Sequence, residues 1–325
     1  MKRIVLILII IFAIDHFAAS ANAGFCLIPH HDSIPLKNNT ASLQAAKKRT
    51  RTILISHALI YTGTFATLYQ TWYKDYPRGS FRSFDDMDEW MQMDKIGHSY
   101  TAYAISRGSG EMWRHTTLTE NQRIWVGGLS GALYQTILET LDAFSTQWGW
   151  SWGDVAGNLA GSALYLSQEL QWKDQRLQLK TSFHKKTYAD AILNERSDKL
   201  FGKSLAERCL KDYNGQTYWL SGNLHAFFPH SKIPSWLQIA VGTGVEGVFG
   251  ARSNKAFDPQ GQIIFDRSGV ARTRQWYLAP DVDFTKIKTN NRWVRTLLFL
   301  LNSFKIPAPG LEYSKTGLKL RWMIF

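Results

Sequence analysis

Residues 92–103 read QMDKIGHSYTAY, and the meaning of this stretch decides how the rest of the chain is understood. Asp94, Lys95 and His98 fall within five residues, and small and aromatic side chains follow at once. Asp94 and His98 are four apart, so on a helix they share one face at the start of an otherwise apolar segment. A polar pair placed there either sets packing or belongs to a site. The choice turns on what neighbouring helices bring to it.

Residues 53–72 have helical length and are mostly apolar, and residues 74–86 form a loop punctuated by Pro, Gly and Asp. Asp85 or Asp86 is placed to cap the helix that carries the opening stretch. Residues 119–143 read as a third helix, with Thr119 capping an acidic first turn. A fourth begins after WGWSWGD and runs through VAGNLAGSALYLSQEL. Gly127, Gly128, Gly131, Gly157 and Gly161 would cost stability in exposed helices and make sense where another helix packs closely. Gln, Glu, Asp, Asn and His interrupt the apolar runs. The helices therefore fit either a compact soluble bundle or a membrane-associated bundle with its polar side chains turned inward.

After residue 172 the pattern changes. Residues 173–215 are basic and polar and read as a linker region. Residues 216–224, 236–250, 274–287 and 317–325 show strand-like alternation, with Ile239, Val241 and Val245 on one face of the second run. Residues 290–304, NNRWVRTLLFLLNSF, have helical spacing and an Asn at the start. The expected fold is α+β: an N-terminal bundle of about four helices with Gly-rich contacts over residues 50–172, then a small antiparallel β-sheet with one covering helix over residues 216–325. The terminal Phe325 is a weak sign of an exported barrel. Its strand face also carries Lys319 and Arg321, which do not suit lipid, while Leu318, Leu320, Trp322 and Ile324 lie opposite, and four strands cannot close a barrel. That last run is read as a strand of a small sheet.

The N-terminus sets the compartment. Two basic residues, an apolar run over residues 4–14 and the ending Ala21-Asn22-Ala23 have the layout of a secretory signal cleaved after residue 23. Residues 24–49 follow as a polar leader. Phe25 directly before Cys26 fits a lipoprotein signal poorly, so simple cleavage is expected. The net charge of +12 falls by one when Lys2, Arg3 and Asp15 are removed. A basic balance with 13 Trp suits anionic lipid headgroups and membrane interfaces. Export and the absence of a recognised motif argue against nucleic acid. Cys26 and Cys209 give no framework for an essential disulfide.

Two more helices carry polar pairs. Glu139 and Asp142 share a face near the end of the third, with Gln135 a turn earlier, and Asp154 and Asn158 share one near the start of the fourth. Short loops make the third helix antiparallel to its neighbours. Asp94, His98, Glu139, Asp142, Asp154 and Asn158 then converge on one end of the bundle. Three explanations fit. A structural one has His98 held by a carboxylate and a Ser151-x-x-Asp154 capping arrangement. A divalent metal could sit among the carboxylates, although a lone His without Glu-x-x-His spacing makes this the less favoured option. Acid–base chemistry would have Asp94 orient His98 while Glu139 or Asp142 acts on a substrate. His57, with Tyr61 one turn on, reads more as a core histidine than as a further member. Lys95 points to a different face from Asp94 and is expected to reach anionic headgroups. Trp148, Trp150 and Trp152 suit a pocket mouth or a membrane interface.

At these residues the chain resembles a known family. Asp94-Lys95-x-x-His98, Glu139-x-x-Asp142 and Gly149-Trp150-Ser151-Trp152-x-Asp154 with Gly157 and Gly161 resemble the YfiM-like family of periplasmic lipoproteins, a domain of unknown function. The order is also similar, more distantly, to VanZ-like membrane proteins linked to glycopeptide resistance. The resemblance covers roughly residues 50–172, and the longer layout looks like extended versions from Bacteroidetes-type bacteria. It implies an envelope protein with a helical core and supplies no reaction. The expected function is a cell-envelope protein with a polar pocket for an envelope ligand such as a lipid headgroup, located in the periplasm or at the outer membrane. The alternative is a hydrolase or transferase acting on a lipid or cell-wall precursor.

Overall fold

The computed structural model describes residues 40–69, 77–114, 116–146 and 148–325. The expected signal at residues 1–23 and Cys26 lie outside the described residues. Four long helices come first: α1 (Thr40–Leu68), α2 (Met93–Met112), α3 (Glu120–Ala143) and α4 (Trp152–Gln171). Then follow β1 (Leu177–Phe183), the short helices α5 (Ala191–Phe201) and α6 (Leu205–Lys211), β2 (Gln216–Asn223), the one-turn α7 (Leu224–Phe227) and β3 (Leu237–Glu246). A small hairpin of β4 (Lys255–Phe257) and β5 (Ile263–Asp266), β6 (Thr273–Val282), α8 (Arg292–Leu301), β7 (Ala308–Ser314) and β8 (Gly317–Ile324) complete it. The fold is α+β, a helical region followed by an antiparallel sheet. Among the described residues, no helix is long and apolar enough to cross a membrane.

The bundle is tight because α2 meets its neighbours backbone to backbone. A Cβ on Gly131 of α3 would lie 1.9 Å from the Ala102 carbonyl oxygen, and one on Gly161 of α4 would lie 2.0 Å from that of Ser99. Gly128 and Gly157 also meet another helix, against Leu166 and the Lys95 carbonyl. Where the backbones come this close, serines bridge them: Ser106 Oγ donates to the Gly128 carbonyl at 2.7 Å and lies 3.0 Å from Ser162 Oγ. Thr119 caps α3 through a capping box with Gln122. α2 starts differently from expectation. Its N-cap is Gln92, which makes no side-chain cap, and neither Asp85 nor Asp86 serves. Asp86 is buried instead and faces Lys95.

Three consecutive residues, Trp90, Met91 and Gln92, enter α2 with φ of 48°, 52° and 57°. Left-handed backbone costs a non-glycine residue roughly 1–2 kcal/mol, so other contacts must hold this turn. The sheet supplies them. Arg274 on β6 donates to the Met91 carbonyl and to Gln92 Oε1, and Trp90 N–H donates to the Ala251 carbonyl at 2.7 Å. Met93 packs with Val245 and Val248.

The main sheet has six strands in the order β1-β2-β3-β6-β7-β8, all antiparallel. Two of them were hidden in the sequence. β1 lies inside the stretch taken as a linker, and β7 begins at the Pro-Gly that suggested only a helix end. α8 begins at its expected Asn291 cap, and none of its residues is buried.

Replacing Gly161 by Ala should lower the denaturation free energy by about 1–3 kcal/mol, since the added methyl must push two helix backbones apart. The same change at Gly63 of α1, where nothing lies within 4 Å of the new Cβ, should be neutral or stabilising by up to about 1 kcal/mol. Urea titrations of the two variants check this pair of outcomes.

Candidate functional site

The helix ends meet as the antiparallel order requires, and four of the other five converging side chains lie around His98. Its Nδ1 is 3.0 Å from Asn158 Oδ1 and 3.8 Å from Glu139 Oε1. Its Nε2 is 3.8 Å from both Asp94 Oδ1 and Asp154 Oδ1. Gln135 Nε2 adds a contact to Nδ1 at 3.4 Å. The sixth residue, Asp142, is half-buried one turn beyond Glu139 and acts on it through its charge.

Lys95 corrects the sequence reading. Its ammonium does not reach outward but lies 2.5 Å from Asp86 Oδ2, 2.9 Å from Asp154 Oδ1 and 3.3 Å from Asp94 Oδ2. Adjacent positions on a helix diverge, yet a long lysine stem reaches back over the carboxylates of its own face. Asp86 is fixed in turn by Ser151 Oγ, which donates to Oδ1 at 2.7 Å. The same Oγ accepts from the Asp154 N–H at 3.0 Å, so the expected Ser151 cap is made. The Asp154 carboxylate is left free to face Lys95 and His98.

Two further members come from outside the spacing argument. Tyr213, between α6 and β2, donates to Asp94 Oδ1 at 3.0 Å. Burial, reinforced by the Asp94 charge, pushes its hydroxyl well up, so it stays a donor. No local sequence signal marks Tyr213 or Asp86, because both arrive through the long-range path of the chain. His57 does not join: its ring bonds the Ile53 carbonyl and Ser109 and stacks on Trp113.

The electrostatics follow from four carboxyl groups facing two basic groups in a poorly solvated place. Burial pushes Glu139 up to about 8, helped by Asp154 and Asp142 and opposed by His98. Burial disfavours the His98 imidazolium, but Asp94, Asp154 and Glu139 outweigh it and raise its pKa. Burial and the Asp94 charge also raise Asp154. Asn158 Nδ2 is buried without a hydrogen-bond partner, while Asp154 Oδ1 meets the Lys95 ammonium at 2.9 Å.

The cluster remains reachable, with the His98 and Asp94 side chains 20% and 28% exposed. Beside it runs an open groove of about 530 Å³ between α2 and α4, lined by Lys95, Ile96, Trp152, Gly153, Ala156 and Ala160 among others. Trp152 stands at its rim, edge-on to Trp150. Asp94, His98 and Asp154 each offer one ligand atom, all within 4.8 Å of one another, the raw material of a divalent-cation site. The Lys95 ammonium competes for the same Asp154 oxygen.

Residues 83–168, which hold all of the cluster except Tyr213, match a family described as predicted periplasmic lipoprotein (DUF2279). That description is consistent with export. No curated protein and no solved structure matches the chain.

The raised groups fix a pH dependence. A carboxyl that holds its proton more tightly when folded contributes stability that is full below its ordinary pKa and lost as pH rises through the folded value. The stability difference between wild type and Glu139→Gln should therefore fall progressively from about pH 4.5 to about 8 and level off above that, when urea midpoints are compared across the range. His98 moves in the same direction. A second outcome concerns Lys95→Met, which leaves buried carboxylates facing one another. It should cost about 3–5 kcal/mol in the same assay, with part recovered by adding Asp86→Asn.

Proposed function

We propose that the chain is an exported cell-envelope protein whose bundle binds an envelope amphiphile, with the headgroup at the His98–carboxylate cluster and an apolar chain in the adjoining groove. The observation that carries this is His98 Nε2. It faces Asp94 and Asp154 oxygens at 3.8 Å each, too long for direct hydrogen bonds, at a point where a ligand atom could enter. The apolar groove and the unpartnered Asn158 Nδ2 support it. Carboxyl groups outnumber basic groups, so a headgroup bearing an ammonium fits the sign better than a bare phosphate. The likeness of Asp94-Lys95-x-x-His98 and its companions to YfiM-like, and more distantly VanZ-like, proteins supports the envelope setting. So do the A-x-A signal, with cleavage expected after residue 23, and the match to a periplasmic family. Association with a membrane surface is part of the same proposal.

One observation favours a second reading, a hydrolase or transferase acting on a lipid or cell-wall precursor. His98 and Glu139 stand 3.8 Å apart with both pKa values raised, and Glu139 at about 8 is suited to proton transfer near neutral pH.

Calorimetric titration of the mature protein with dodecylphosphoethanolamine, below its micelle concentration, tests the binding reading. Saturable binding is expected, with His98→Ala weakening it at least tenfold, about 1.4 kcal/mol, while the circular dichroism spectrum is unchanged. Equal binding by the variant, or none by wild type, would remove the proposal. Release of a headgroup or alkyl product from the same probe, lost in both His98→Ala and Glu139→Gln, would establish the second reading instead.

A further inference from the structure

The six-stranded sheet encloses both apolar and charged side chains: Trp219, Ala240, Ala279 and Ile324 pack together on its inner face. Its concave face holds a buried charge pair: Lys180 on β1 and Asp281 on β6 are both fully buried and lie 2.8 Å apart. Gln238 Oε1 accepts from the same ammonium at 2.8 Å, and Ser221 donates to Asp281 at 2.7 Å. β1 and β6 are three strand positions apart, about 14 Å in a flat sheet, so this contact requires a strong curl. Phe325, at the end of β8, comes within 5.6 Å of His184, just past β1. The sheet therefore wraps around a self-filled interior in which a charge network lies beside an apolar cluster.

On the convex face, the end with Tyr218 and Val245 packs on the start of α2, and the remainder is apolar and exposed. Leu179, Leu220, Val241, Leu278, Leu311 and Leu320 stand directly across from one another in register, one from every strand. Five of the six are exposed, from 37% at Leu311 to 67% at Leu320. Beside this row runs a second one that includes Trp276, Tyr313 and Leu318, all exposed. On β8 the charges that argued against lipid, Lys319 and Arg321, belong to the other face, and Leu318, Leu320 and Trp322 point outward. The charge on the convex face is Arg274, and it is tied to Met91 and Gln92.

We propose that this convex face lies in the hydrocarbon of a lipid bilayer. A buried charge network inside, an exposed aliphatic row outside and aromatics beside that row are the arrangement that hydrocarbon selects in membrane sheets. A water-soluble sheet selects the reverse. α8 supplies an independent observation. Its Trp293, Val294, Leu297 and Leu301 form an exposed apolar stripe at helical spacing, with Arg292 and Arg295 on the same helix, the composition of a helix that lies in a membrane interface. The chain leaving α8 pairs with the free edge of β1, since Thr181 N–H donates to the Ser303 carbonyl at 3.1 Å. Helix and aliphatic row thus adjoin one edge of the sheet. The proposal deepens the envelope reading but does not use the His98 cluster.

Flotation of the mature full-length protein with neutral phosphatidylcholine vesicles in 1 M salt tests it; high salt screens electrostatic attachment to a basic protein. Wild type is expected to float. Leu278→Asp/Leu320→Asp should reduce the floating fraction about tenfold or more, because charge on a lipid-facing strand is strongly disfavoured. Near-UV circular dichroism should show the variant folded, and Leu205→Asp on α6 should float like wild type. Wild type left in solution, or a folded double variant that floats equally, overturns the proposal. So does a wild-type dimer in solution that the double variant turns into a monomer with flotation unaltered, since the row would then be a contact between copies. Should the double variant fail to fold, single Leu311→Gln and Leu320→Gln variants must each lower flotation for the proposal to stand. Dodecylphosphoethanolamine titration of the double variant separates the two readings: loss of flotation with retained titration is failure of the sheet alone.

Discussion

One ammonium organises the helical region. Lys95 Nζ gathers Asp86 from the incoming loop, Asp94 from its own helix and Asp154 from α4. A buried charge of this kind does little for net stability compared with a well-packed apolar substitute, but removing one partner leaves the others uncompensated. It therefore acts as a constraint. The loop cannot leave, α4 cannot slide along α2, and the Asp154 carboxylate cannot turn away from His98. The glycines of α3 and α4 make this possible, because α2 and α4 approach closely enough for a lysine on one to touch an aspartate on the other.

The start of α2 is also held by residues from far along the chain. Arg274 holds the left-handed turn that enters α2, and Tyr213 bonds Asp94 directly. Strain stored in three consecutive left-handed residues persists only where the surroundings impose it. Here the imposing groups belong to β6 and the Ala251 loop. The orientation of Asp94, and with it one side of His98, is thus set by elements more than one hundred residues away. The cluster is better described as a product of the whole chain than of the segment that shares the family pattern.

This explains which parts were legible in the sequence. Helix spacing fixes a face and antiparallel order fixes which ends meet, so the approach of Asp94, His98, Glu139, Asp154 and Asn158 could be read from residue numbers alone. Asp86, Tyr213 and the inward reach of Lys95 could not, because they depend on loop path, tertiary pairing and a flexible side chain. The sheet shows a different limit. Alternation revealed four strands, but β1 reads LQLKTSF, whose alternate residues Gln178, Lys180 and Ser182 are buried. A strand that buries its polar side looks like a linker to any argument that assumes apolar residues face inward.

β8 is the sheet strand that its alternation suggested. Period-two alternation fixes two faces but is silent on which one meets water. Lys319 and Arg321 share one face, the pairing with β7 places Leu318 and Leu320 opposite Tyr313 and Leu311 on the other, and on β8 all four are exposed. The deciding information is the buried Lys180–Asp281 pair, which no single strand contains. Fully burying two charges is tolerated only when each meets the other and further hydrogen bonds, as Gln238, Ser221 and the Val282 carbonyl provide. That network shares the interior with Trp219, Ala240, Ala279 and Ile324, and the Leu row from β2 to β8 stands outside it.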